Sequence, residues 1–373
     1  MYLLQWIWKQ LYTSDAKGCR DLGTLYAAKI FLRATNVNNK PLSCFYACEE
    51  LLDKYLKALI LTAALQFFGM DKVTDNPTKN TKRDNQTDEG YIDDVLSTFV
   101  KAYAIQHEPD LVNIQPERKC PECTKVYKTK RGLVKHLEDK HPDSHHLADA
   151  QQPKANINDY CRTAMGMVLM AQNFADARKC GDGERIVRLY KFFILHFKAA
   201  GKTKYAYHSL RLQAQVQCLL TEKMAHLVTW NRFVNNKGGA TSNVEVDRDN
   251  EHRNKGIKEE ISAFHGKVSD ISIKRVGEAA QTLEKILLQT DKAASTKRPS
   301  GKHAKADTTE DVLALTDVLH KENVFASDQE RPLHVLPDFQ KDPFSHLDLI
   351  QLHQWMTDTL SKISKQKIFK GNS

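Results

Sequence analysis

Apolar residues recur every three or four positions along most of this chain, which is the spacing of one face of an α-helix. The pattern begins at once, with Leu3, Ile7, Trp8 and Leu11 on one face of the first predicted helix. Comparable patterns predict further helices over residues 22–35, 43–69, 91–106, 158–179, 184–199, 204–220, 221–237, 249–264, 271–289, 310–320 and 346–364.

Several helix boundaries are predicted from residues that typically begin or end helices. Ser43 is the expected N-cap of the helix that ends near Gly69. Thr221 is the expected N-cap of the helix that Gly238 and Gly239 stop. Between these elements, the polar stretch 71–89 predicts a mobile loop.

Residues 118–142 carry a different pattern, in which cysteine and histidine stand at fixed intervals. Cys120 and Cys123 enclose two residues, twelve more lead to His136, and four more separate His136 from His141. This is the ligand spacing of a ββα zinc finger: a Cys pair on a tight turn offers two thiolates, and two His about one helical turn apart offer two imidazoles. We therefore predict Zn²⁺ as a cofactor held by these four side chains.

The finger also suggests a partner. Tyr127 and Leu133 would supply its small apolar core, and alignment on His136 places Thr129, Gly132 and Lys135 at the positions that face bases. Gly132 has no side chain to offer a base edge, and one finger spans only about three base pairs, so sequence-specific reading is not expected. The residues expected to contact phosphates of nucleic acid are Lys125, Lys128, Lys130, Arg131 and Lys135.

Outside the finger no convincing alternation of apolar and polar residues appears, so the predicted fold class is mainly α, an irregular multi-helix bundle with one inserted ββα zinc finger. The chain is predicted to divide into five parts. They are an N-terminal helical part (1–108), the finger (118–142), a main helical part (156–290), a disordered basic linker (291–306) and a C-terminal helical tail (307–373).

Composition and charge agree with a globular helical protein that meets an anionic partner. The chain has 373 residues, 41% of them hydrophobic and 27% charged, and a formal net charge of +9. Residues 117–141 hold eight Lys/Arg and four Asp/Glu, so the finger accounts for +4 of that charge.

The remaining six cysteines are scattered without a pairing pattern, which favours reduced thiols in a nuclear or cytoplasmic protein. Cys44 and Cys48 share a helix face and would be able to bind a metal, but no second pair lies near them in sequence. The first residues lack the basic region and cleavage site of a secretory signal, and no run of 18 apolar residues occurs. We therefore expect a protein that is not secreted and has no membrane partner.

One polar segment invites a catalytic interpretation. It contains the carboxylates Glu245, Asp247, Asp249 and Glu251, followed by His252. Carboxylates that converge from separate elements can bind Mg²⁺ for phosphoryl chemistry, whereas these lie in a single stretch of sequence. A helix start stabilised by ion pairs with neighbouring arginines is the favoured interpretation.

Several segments resemble those of one family. They are L-L-Q-W-I-W-K-Q-L-Y from Leu3, A-L-Q-F-F-G-M from Ala64, G-D-G-E-R-I-V-R-L-Y-K-F-F-I-L-H-F-K from Gly181 and W-N-R-F-V-N-N-K-G-G from Trp230. The family is a domain of unknown function, numbered six-five-eight-nine, found in many animal and fungal proteins and often in transposon-like settings.

The resemblance covers the C-terminal part of the family's sequence, from Leu3 to Gln289, with the finger as an insertion and the tail after Asp291 outside it. Family members continue upstream through Asp-bearing segments. If the family derives from nuclease-like transposases, those Asp would be metal ligands and Glu251 would be the third acid. This chain begins after both segments, so the resemblance implies no catalysis by this polypeptide, and whether Met1 is the true start stays open.

Three functions follow as hypotheses. The preferred one is a zinc-binding protein with a single finger on a helical scaffold, which contacts nucleic acid non-specifically and derives from a mobile-element protein. The first alternative is a protein–protein interaction module, in which the finger and an exposed N-terminal aromatic helix bearing Trp6 and Trp8 dock a partner. The second is a remnant of a metal-dependent transposase or nuclease.

Overall fold

The computed structural model of the protein describes residues 2–13, 21–83, 85–104, 120, 122–125, 127, 130–141, 156–236, 238–262, 269–294, 307–326, 331, 333, 334, 336, 339, 344 and 347–365. It is mainly α-helical, as predicted. Two compact units divide the chain. The first comprises Met1–Asn173, Arg188–Leu219 and Thr308–Ser373, and the second comprises Phe174–Val187 and Leu220–Asp307.

The helices largely follow the predicted pattern. In chain order the elements are α1 (Tyr2–Leu11), α2 (Leu25–Phe31), α3 (Phe45–Phe68), α4 (Asp88–Tyr103), α5 (Lys130–Lys140), α6 (Ile157–Cys180), α7 (Gly183–Ala199), α8 (Thr203–Ala214), a π-helical turn (Gln215–Leu219), α9 (Glu222–Trp230), β1 (Phe233–Val234), β2 (Val244–Glu245), α10 (Val246–Ser262), α11 (Asp270–Ala293), α12 (Thr309–Lys321) and α13 (Leu349–Lys365).

The core of the first unit is built around α3. Its side chains Tyr55, Leu56 and Leu59 are almost completely buried, and α12 packs along it with Leu315 and Leu319 turned inward. Burial of such aliphatic and aromatic side chains contributes roughly 1.5–3 kcal/mol each, which makes this helix pair the main stabilising contact of the unit.

The N-terminal aromatic helix belongs to the same core. Trp6 and Trp8 are only 7% and 3% exposed. The hydroxyl of Tyr160 donates a hydrogen bond to the carbonyl of Leu11, which fixes the end of α1 against α6. The expectation that this helix exposes its tryptophans to a partner is therefore wrong, because α1 already has an intramolecular surface to cover.

The two ends of α3 differ in how well their caps were predicted. Gly69 ends the helix in the left-handed conformation, with φ of 64°, as expected of a C-terminal glycine. At the other end the N-cap is Cys44 rather than Ser43. The hydroxyl of Ser43 instead donates to the carbonyl of Lys40, 2.8 Å away.

The polar stretch after α3 is not the free loop that its composition predicted. The backbone amides of Thr78 and Lys79 both donate to the carbonyl of Phe68. The side-chain amide of Asn80 donates to the carbonyl of Phe67 at 2.8 Å. This segment therefore folds back and satisfies carbonyls that the end of a helix leaves without intrahelical partners.

Within the second unit, Thr221 caps α9 as predicted, since its hydroxyl accepts from the amide of Met224. The predicted stop at Gly238 and Gly239 is wrong, because α9 ends at Trp230 and the chain continues into β1. Strands β1 and β2 pair antiparallel, with Phe233 opposite Glu245. Two-residue strands are too short to produce a visible alternation, which is why the sequence pattern missed them.

Two further boundaries differ from the prediction. Helix α2 ends at Phe31, and Arg33 follows with a positive φ of 51° that no helix continues through. Helix α11 extends to Ala293, into the first residues of the predicted linker 291–306. Residues 295–306 of that linker lie outside the described part of the chain.

Among the residues the structure describes, no helix combines the length and apolar character that crossing a membrane requires.

Candidate metal centre

The structure brings the four predicted metal ligands together. One ligand atom from each of Cys120, Cys123, His136 and His141 lies within 4.8 Å of all the others. Sγ of Cys123 lies 3.2 Å from Nε2 of His136. Within the described residues, no other group of three or more Cys, His, Asp or Glu side chains is placed to hold a metal ion.

Local backbone geometry explains how the cysteines reach this position. The chain bends at residues 122–124, and the amide of Cys120 donates to the carbonyl of Lys125 at 2.9 Å. That hydrogen bond closes a tight turn, so the sulfurs of Cys120 and Cys123 face the same side. The described residues of this turn form no paired strands, so the β-hairpin of the predicted ββα finger is not seen among them.

The two histidines are positioned by α5. His136 lies inside the helix, and the amide of His141 still donates to the carbonyl of Leu137 at 2.8 Å, one residue past the helix end. The two rings therefore project from the same side, with centroids 5.1 Å apart and planes at 76°.

The centre is shielded on one side by an aromatic ring. Tyr127 stacks on His136 with 4.9 Å between the ring centroids, and Cys120 and His136 are 4% and 9% exposed. Burial lowers the pKa of His136, and the charges of His141, Lys125 and Lys140 lower it further. A lowered pKa favours the neutral imidazole, which is the form that binds a metal. The sequence had assigned Tyr127 to the apolar core but did not predict this stacking.

The donor set fits Zn²⁺. Two thiolates and two imidazoles are a common structural zinc set, with bonds of about 2.3 Å to sulfur and about 2.0–2.1 Å to nitrogen. Tetrahedral bonds of that length hold the ligand atoms roughly 3.3–3.8 Å apart. Ligand atoms that already lie within 4.8 Å of one another need only small side-chain adjustments to reach that arrangement.

The predicted phosphate-contacting residues are described only in part. Lys125 and Lys135 are exposed to solvent. Lys130 and Arg131 lie on the first turn of α5, but their side chains are outside the described residues, and so is Leu133. Lys128 and the base-facing Thr129 also lie outside the described residues.

Cys44 and Cys48, the second cysteine pair considered as metal ligands, form a thiol contact. Their sulfurs are 3.4 Å apart. Burial raises the pKa of Cys48 to about 12, and the hydrogen bond and charge of Cys44 add to the effect. Within the described residues, no third Cys, His, Asp or Glu side chain is placed to complete a metal site with them. We assign this pair no metal.

The acidic segment adopts the structure of an ion-paired helix start. Asp249 accepts from Arg253 at 2.8 Å and from Asn236 at 2.7 Å. Glu245 lies 3.6 Å from Arg178. Glu251, the residue that would be the third acid of a nuclease, is exposed on α10. Among the described residues these carboxylates do not converge with other acids, so the catalytic interpretation gains no support.

Comparison with known proteins places most of the chain in one family. The model of a family of unknown function, DUF6589, matches residues 1–303. The match extends over most of the chain, and its end lies beyond the expected boundary at Gln289, so part of the predicted linker is included while α12 and α13 are not. No curated protein matches, and no solved structure matches. The chain belongs to the family of unknown function DUF6589.

Proposed function

We propose that this protein binds one Zn²⁺ through Cys120, Cys123, His136 and His141 and contacts nucleic acid through phosphates, without reading sequence. The observation that carries the proposal is the convergence of the four ligand atoms within 4.8 Å. When bound, Zn²⁺ acts structurally: four ligands close the coordination shell and leave no open position for catalysis.

Exposed positive charge beside this centre supports the choice of nucleic acid. Lys125 on the cysteine turn and Lys135 on α5 are both exposed and can meet phosphates. Gly132 offers no side chain to a base edge, so contact without base reading is the expected mode. The proposed origin in a mobile element rests on the resemblance to family members in transposon-like settings, and a nuclear or cytoplasmic location is proposed with it.

A direct test measures the affinity of the zinc-loaded chain for labelled DNA and RNA oligonucleotides as salt is raised. We expect binding that weakens steeply with salt and differs little between sequences, because each phosphate contact releases a counterion. The double variant Lys125→Gln/Lys135→Gln should lower the salt slope by about 1–2. The control Lys57→Gln removes a lysine of α3 that pairs with Asp53 four positions earlier and lies far from the finger in sequence. Binding that is absent, or insensitive to salt, would refute the proposal.

A protein-interaction module remains the second candidate, and one observation favours it. Ile92, Leu96 and Val100 form an apolar row on α4 and are 53%, 54% and 38% exposed. Exposed apolar rows of this kind often mark protein contacts. A stoichiometric protein partner that survives nuclease treatment, and is lost in Leu96→Asp, would favour this function over nucleic-acid binding.

The remaining alternative is the remnant of a metal-dependent transposase or nuclease, with Glu251 as its acid. It requires DNA cleavage that depends on Mg²⁺ or Mn²⁺ and is abolished by Glu251→Ala. We expect no cleavage from either form, because Glu251 lies exposed and apart from other converging acids in the described structure.

A further inference from the structure

The segment from Arg188 to Leu219 has an unusual charge distribution. It contains six Lys/Arg and no Asp or Glu. At the average of 46 acidic residues in 373, a stretch of this length would carry about four. The segment, which we call the basic arm, includes most of α7, all of α8 and the following π-helical turn, and it lies wholly within the first unit.

Four of the six cations of the basic arm make no ion pair within the part of the chain that the structure describes. Arg188, Lys191, Lys202 and Lys204 are exposed, and none of them makes an ion pair with any described residue. Arg185, three positions before the arm begins, shows the contrast, since it pairs with Asp176 at 2.8 Å. Unpaired like charges along successive helices create a positive potential that attracts polyanions.

The arm also exposes an aromatic ring among these charges. Phe192 is 54% exposed on α7. Arg188 lies four positions before it and Lys191 one position before it, so Arg188 and Phe192 share a helix face. On α8, Lys204 and His208 likewise share a face, and the ring of Tyr207 contacts that of His208 with centroids 5.3 Å apart.

Exposed aromatic rings beside cations are the features with which proteins bind single-stranded nucleic acid. The cations follow the phosphate backbone and the rings stack on unpaired bases, which are available in single strands and not in duplexes. Anionic lipid or an acidic protein surface would form ion pairs with the cations of the arm, but neither has a nucleobase that stacks on the ring of Phe192.

We propose that the basic arm is a second nucleic-acid surface, which binds single-stranded DNA or RNA by phosphate contacts and by stacking on Phe192. This inference takes the ligand class from the proposed function, but it does not require the zinc-bound finger. The finger and the arm would then each add affinity, because two linked contacts to one polymer raise its effective local concentration.

The test uses the zinc-loaded full chain and a fluorescent 20-nucleotide single strand, with anisotropy measured over a range of salt. We expect Arg188→Gln/Lys191→Gln/Lys204→Gln to weaken binding at least about tenfold and to lower the salt slope by about 2, since each single-strand phosphate contact contributes about 0.7. All three side chains are exposed and form no ion pair with the residues that the structure describes, and circular dichroism should confirm that the variant folds.

The matched control removes the same charge elsewhere. Lys40→Gln/Lys72→Gln/Lys101→Gln also removes three exposed positive charges of the first unit, all of them outside the arm. We expect this control to change affinity less than about twofold. An arm variant that binds no worse than the control would overturn the inference.

Stacking is tested separately at Phe192. Phe192→Ala should weaken single-strand binding about fivefold or more and leave duplex binding nearly unchanged, whereas Phe192→Tyr should retain affinity. Equal effects of Phe192→Ala on single strand and duplex, or binding of vesicles with anionic lipid in preference to oligonucleotides, would count against the inference.

The experiments can refute the proposal for the finger and the proposal for the arm separately. Loss of binding in the arm variant but not in Lys125→Gln/Lys135→Gln supports the arm and removes the finger from nucleic-acid contact. The reverse result overturns the arm and leaves the proposed function in place. Absence of any binding by the unchanged chain overturns both.

Discussion

Nζ of Lys54 lies 2.8 Å from Oδ2 of Asp311, so α3 and α12 are joined across 257 positions of the chain. Beside this ion pair, Leu315 and Leu319 of α12 are buried in the core of the first unit. Helix α12 lies after residue 303, where the family match ends. Helix α12, which lies outside the residues matched by the family model, therefore contributes to the core of the first unit, and that unit contains most of the matched residues.

This relationship predicts that the apolar contact matters more than the ion pair. Leu319→Ala should lower the free energy of unfolding by about 2–5 kcal/mol, because it removes a buried side chain and leaves a cavity. Asp311→Ala should cost only about 0–1 kcal/mol, since its carboxylate is 48% exposed and well solvated. Urea unfolding followed by circular dichroism compares them. Equal costs would contradict the packing described for α12.

Two glycines with nearly the same backbone conformation should respond differently to alanine. Gly69 has φ of +64° and Gly201 has φ of +68°. A Cβ at Gly201 would meet nothing within 4 Å, whereas at Gly69 it would collide with Oγ1 of Thr78. Gly201→Ala should therefore cost about 1 kcal/mol from backbone strain alone.

Gly69→Ala should cost about 1–3 kcal/mol more than Gly201→Ala. The added methyl group must displace the Thr78 hydroxyl, which donates to the carbonyl of Gly69 at 2.7 Å. Thermal unfolding of the two variants gives the comparison. If Gly69→Ala and Gly201→Ala lower the melting temperature equally, the loop after α3 does not pack on the C-terminal end of α3 as described.

His196 predicts how stability depends on pH. It packs between Trp6 and Phe344, and burial lowers its pKa to about 4 from an ordinary value of 6.5. Below pH 6.5 the unfolded chain gains a proton at this residue that the folded chain does not take up. The free energy of unfolding should therefore fall by up to roughly 3 kcal/mol as the pH drops from 6.5 to about 4.

His196→Phe should flatten the pH dependence over this window, because the phenyl ring does not titrate. Unfolding of wild type and variant is compared at each pH with both proteins prepared in the same way with zinc, so that titration of the zinc ligands affects both alike. A variant whose stability falls as steeply as that of the wild type between pH 6.5 and 4 would show that His196 is not the group responsible.

The sequence predicted most helices because their apolar faces are long and regular. Gly69 and Thr221 were identified as caps because each has a local physical role that neighbours do not override. The four ligands of the candidate centre were also predictable, since a turn and a helix fix the spacing of Cys120, Cys123, His136 and His141.

Other features depend on partners far away in the chain, and no local pattern reveals them. The polar segment at Thr78 and Asn80 has a loop composition, yet its hydrogen-bond partners are the last carbonyls of α3. Trp6 and Trp8 have the pattern of an exposed amphipathic helix, yet both are buried in the core of the first unit, where the ring of Trp6 contacts that of His196. Tertiary context decides such cases.

The most direct measurement of the central claim is the zinc content of the purified chain by native mass spectrometry. The account predicts one Zn²⁺ per wild-type chain, none in Cys123→Ser/His136→Ala, and one in the control Cys218→Ser, which changes an exposed cysteine outside the centre. A wild-type chain without zinc, or a variant lacking both ligands that still retains it, would contradict the account.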